Sequence, residues 1–74
     1  MTDTQGERHL VQADRHIAEL KVHIIQQRAL MQRIVEAGQS TELAESMLET
    51  LEGNLYSLER HRKFILSRLM KPAK

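Results

Sequence analysis

Apolar residues recur along this chain at intervals of three and four, with one interruption. The first track runs Leu10, Ala13, Ile17, Leu20, Ile24, Met31 and Ile34; the second runs Ala44, Leu48, Leu51, Leu55, Leu58, Ile65 and Leu69. Such spacing puts each track on one face of an α-helix. Between them lies Gly38-Gln39-Ser40-Thr41, which reads as a tight turn. The pattern predicts an all-α fold: an antiparallel two-helix hairpin with a helix over about 7–37, a turn at 38–40 and a helix over about 41–70.

The end signals agree. Neither Pro nor Gly interrupts 7–37, and good helix formers dominate it. At 1.5 Å per residue this helix is roughly 45 Å long. Asp3 or Thr4 is its expected cap, and Glu7 suits its positive end. Gly38 is the expected left-handed residue that stops it. Ser40 is the expected N-cap of the second helix, with Thr41 as the competing choice, and Glu42 and Glu45 favour the same end. Lys71 suits the far end and Pro72 forbids continuation. Gly53 costs about 1 kcal/mol relative to Ala if exposed, or permits close approach if it faces another helix. Residues 1–6 then form a frayed polar tail, 7–70 one hairpin domain and 71–74 a short C-terminal tail.

A turn centred near Gln39 pairs positions whose numbers sum to about 78, so Leu20 faces Leu58 and Ile34 faces Ala44. Two seam positions are polar, Gln27 and Arg62. A buried polar seam residue costs stability and fixes register; the reading favoured for both is that they reach outward from the seam edge into water.

The apolar surface exceeds one seam. Val11, Ala18, Val22, Ile25, Leu30 and Val35 belong to helix one but not to its track, as do Leu43, Met47, Tyr56, Phe64, Leu66 and Met70 in helix two. One hairpin cannot cover so wide an arc. The expectation is a homodimer forming a four-helix bundle, with Val11, Ala18, Val22, Ile25, Leu30, Met47, Phe64 and Leu66 at the interface. A helix from a partner protein is the competing occupant.

Composition sharpens this. At 74 residues the chain holds one small domain, and with no Cys it has neither disulfides nor thiolate metal sites to brace it. Self-association is then a natural source of stability. A net charge of +1 makes it no polyelectrolyte. The longest apolar run falls far short of the ~20 residues a membrane span needs. Met1 to Gly6 lacks the layout of a secretion signal, so a soluble cytoplasmic protein is expected.

Candidate chemistry is sparse. His9, His16 and His23 are spaced by seven, roughly 10.5 Å apart along the axis, too far to share one ion. Glu19 and His23 offer two ligands only, so no metal site is expected. Protonation of the row near pH 6.5 is a possible acid switch, but boundary residues between apolar and wet surface suffice to explain it. Ser40, Ser46, Ser57 and Ser67 have no base with an orienting partner. Glu42, Glu45, Glu49 and Glu52 form an acidic stripe rather than a catalytic pair. The expectation is a non-enzyme without cofactor. Residues 59–74 carry six bases against Glu59. Helix polarity explains this; the alternative is a small RNA- or DNA-binding regulator using Arg60, Arg62, Lys63, Arg68 and Lys71, although few aromatic residues lie nearby to stack on bases.

The run His16-Ile17-Ala18-Glu19 through Gln27-Arg28, then Ile34, Gly38-Gln39-Ser40-Thr41, Ala44, Met47-Leu48, Leu51-Glu52 and Leu55, resembles short uncharacterised alphaproteobacterial proteins of the rhizobial type. The similarity covers roughly 8–69 and its motifs are mostly those any helical hairpin needs. It implies a bacterial cytoplasmic hairpin and carries no activity with it.

Overall fold

A computed structural model describes residues 4–70. Helix α1 spans Thr4–Glu36 and helix α2 spans Glu42–Leu69, and they pack against each other along one seam. The chain is therefore an antiparallel helical hairpin. All members of both apolar tracks are buried or half-buried. Ala13, Ile17, Ile24, Ala44 and Ile65 are the most enclosed apolar residues, yet among the described residues no large side chain is fully buried. Two helices side by side leave every residue within one side-chain layer of the surface.

The turn follows from Gly38, whose φ is +71°. There Gly38 N–H donates to the Val35 carbonyl and Gln39 N–H to the Ile34 carbonyl, both at 3.0 Å. These two bonds are the Schellman pattern, which satisfies carbonyls that the helix end leaves over. A side chain at position 38 would be strained by this φ even though the space around it is open. Gly53 is also open, so the close-approach role does not apply to it within the hairpin.

Three details differ from expectation. Helix α1 starts at Thr4, so Thr4, Gln5 and Gly6 are helical rather than tail. Gln5 and Gly6 line a groove with Ile65 and Leu69 of α2. At the other junction Thr41, not Ser40, is the N-cap. The Ser40 hydroxyl still accepts the Glu42 N–H at 3.4 Å, while Thr41 Oγ1 donates to Glu45 Oε2. The end signals at Asp3, Lys71 and Pro72 lie outside the described residues.

The third difference is Gln27, which does not reach out to water. It is 8% exposed, and its Nε2 donates to the Ala44 carbonyl at 3.1 Å. Ala44 is small, so α2 presents backbone here within reach of an amide. Arg62 is half-buried and held in place, its Nε donating to Asp14 Oδ1.

Candidate functional site

A seven-residue repeat sorts the positions outside the seam into two edges, where α1 and α2 meet, and the outer face of each helix. Asp14, Lys21 and Arg28 follow the α1 seam on one side and meet Glu52, Glu59 and Arg62 of α2. Arg28 Nη2 donates to Glu52 Oε2 at 2.8 Å, and Lys21 and Glu59 line a groove with the Asp14–Arg62 pair. The pairs lie on either side of the expected register and so support it. This edge is closed by charge.

The opposite edge is different. His16, His23 and Asn54 surround a groove whose apolar floor is Leu20 and Leu58, with Glu19 at its rim. His9, His61 and Phe64 line the next groove along. All four histidines of the chain thus fall on one edge. His61 of α2 thereby joins the row of three that the spacing of α1 marks. The signal that places it with the others is its seven-residue spacing from Asn54 and Met47, across the seam from His16. Among the described residues no three His, Cys, Asp or Glu side chains come close enough together to hold a metal ion.

The outer face of α1 is turned away from α2. Val11, Ala18, Val22 and Ile25 are all exposed there, Ile25 at 66% and Val22 at 50%. Ala29 continues the stripe and is also exposed; the sequence reading did not include it.

The eight residues expected at an interface therefore do not form one patch. Val11, Ala18, Val22 and Ile25 share the outer face of α1. Phe64 is exposed by the histidine edge, and Leu30 and Met47 are exposed and continue that edge toward the turn by seven-residue spacing from His23 and Asn54. Leu66 is half-buried beside the seam.

The basic positions are dispersed too. Arg62 is engaged by Asp14. The guanidinium of Arg60 lies 5.8 Å from the Tyr56 ring centroid and that of Arg68 lies 5.6 Å from that of Phe64. These are contacts one turn apart on the same helix, and they occupy the two rings that would stack on bases. Lys63 shares its groove with Asp14 and Glu59, and Lys71 is outside the described residues. Among the described residues no helix is long and apolar enough to cross a membrane. No protein-family model, curated protein or solved structure matches the chain.

Proposed function

We propose that this chain is a non-enzymatic interaction module of the bacterial cytoplasm that acts through self-association, two hairpins pairing as a four-helix assembly. The observation that carries this reading is the apolar surface left outside the seam. Val11, Val22, Ile25, Leu30, Leu43, Met47, Tyr56 and Phe64 are exposed, whereas among the described residues only five apolar side chains are buried. A small domain with so little core gains stability when a second chain covers such surface. The reading needs no cofactor. Nucleic-acid binding through Arg60, Arg62, Lys63, Arg68 and Lys71 has less support, because Arg62 is spent on Asp14 and acids share the groove of Lys63.

Sedimentation of the intact chain tests it. A dimer that dissociates on dilution is expected. A folded monomer at high micromolar concentration overturns self-association. Capture of a partner protein by that monomer then assigns the surface to a foreign helix, and salt-sensitive RNA binding assigns function to the basic segment.

A further inference from the structure

We draw no further inference here: the strongest candidate, the exposed outer face of α1 that carries Val11, Ala18, Val22 and Ile25 with Arg15 among them, is an unpartnered helix face, and nothing in the structure shows what covers it.

Discussion

Gln27 of α1 donates its side-chain amide to the backbone carbonyl of Ala44 in the first turn of α2, and it does so while buried. The bond ties the two helices together across the seam in the half of the hairpin nearer the turn. It pairs a specific side chain with a specific backbone position, so a slip of α2 by one residue would break it. Arg62 plays the corresponding part toward the other end, through Asp14.

Replacing Gln27 separates packing from pairing. Gln27→Ala removes both and is expected to cost about 1–3 kcal/mol. Gln27→Leu restores volume and leaves no unpaired amide, so its cost is expected to stay within about 1 kcal/mol. Urea unfolding at fixed protein concentration measures both. Equal losses for the two would show that the amide bond, not the volume, dominates at this site.

The Asp14–Arg62 and Arg28–Glu52 pairs are partly exposed. Pairs of this kind contribute about 0.2–1 kcal/mol and weaken in salt. A double-mutant cycle on Asp14→Asn and Arg62→Met is expected to give a coupling in that range at low salt and a smaller one at high salt. A coupling near zero at low salt would remove Asp14 as the group that holds Arg62.

The two glycines are expected to respond with opposite signs. Gly38→Ala forces a side chain into left-handed backbone and is expected to destabilise by about 1–2 kcal/mol. Gly53 sits exposed inside α2 with nothing near it, so Gly53→Ala is expected to stabilise by up to about 1 kcal/mol. Thermal unfolding of the pair at matched concentration reads both. A loss on Gly53→Ala would mean that something packs on α2 at that position in the assembled protein.

Much of the hairpin was legible because its determinants are local. Apolar spacing marked both faces, and Gly38 marked the turn. Ile17, Ile24, Ala44 and Ile65 then appear among the most enclosed residues. What was not legible depended on the neighbouring helix. Gln27 is polar, and nothing around it in sequence shows that a backbone carbonyl waits across the seam at Ala44. Gln5 and Gly6 likewise line a groove with α2 residues some sixty positions away, Ile65 and Leu69, a proximity that the local sequence does not show. The expected interface residues were gathered by hydropathy alone. Only the fold separates Val11, Ala18, Val22 and Ile25 on the outer face from Phe64 on the histidine edge.

That separation yields a prediction about the proposed self-association. The outer face of α1 and the histidine edge are different surfaces, and each carries a large exposed apolar side chain, Ile25 on the first and Phe64 by the second. A charge placed in a desolvated contact between copies is costly, whereas the same charge left in water is not. One of Ile25→Asp and Phe64→Asp is therefore expected to split the proposed dimer and the other to leave it intact. Sedimentation at matched concentration measures both, with circular dichroism alongside to check that the hairpin stays helical. Loss of the dimer with Ile25→Asp alone puts the contact on the outer face of α1, and loss with Phe64→Asp alone puts it on the histidine edge. A dimer that survives both substitutions would remove these two faces as the contact.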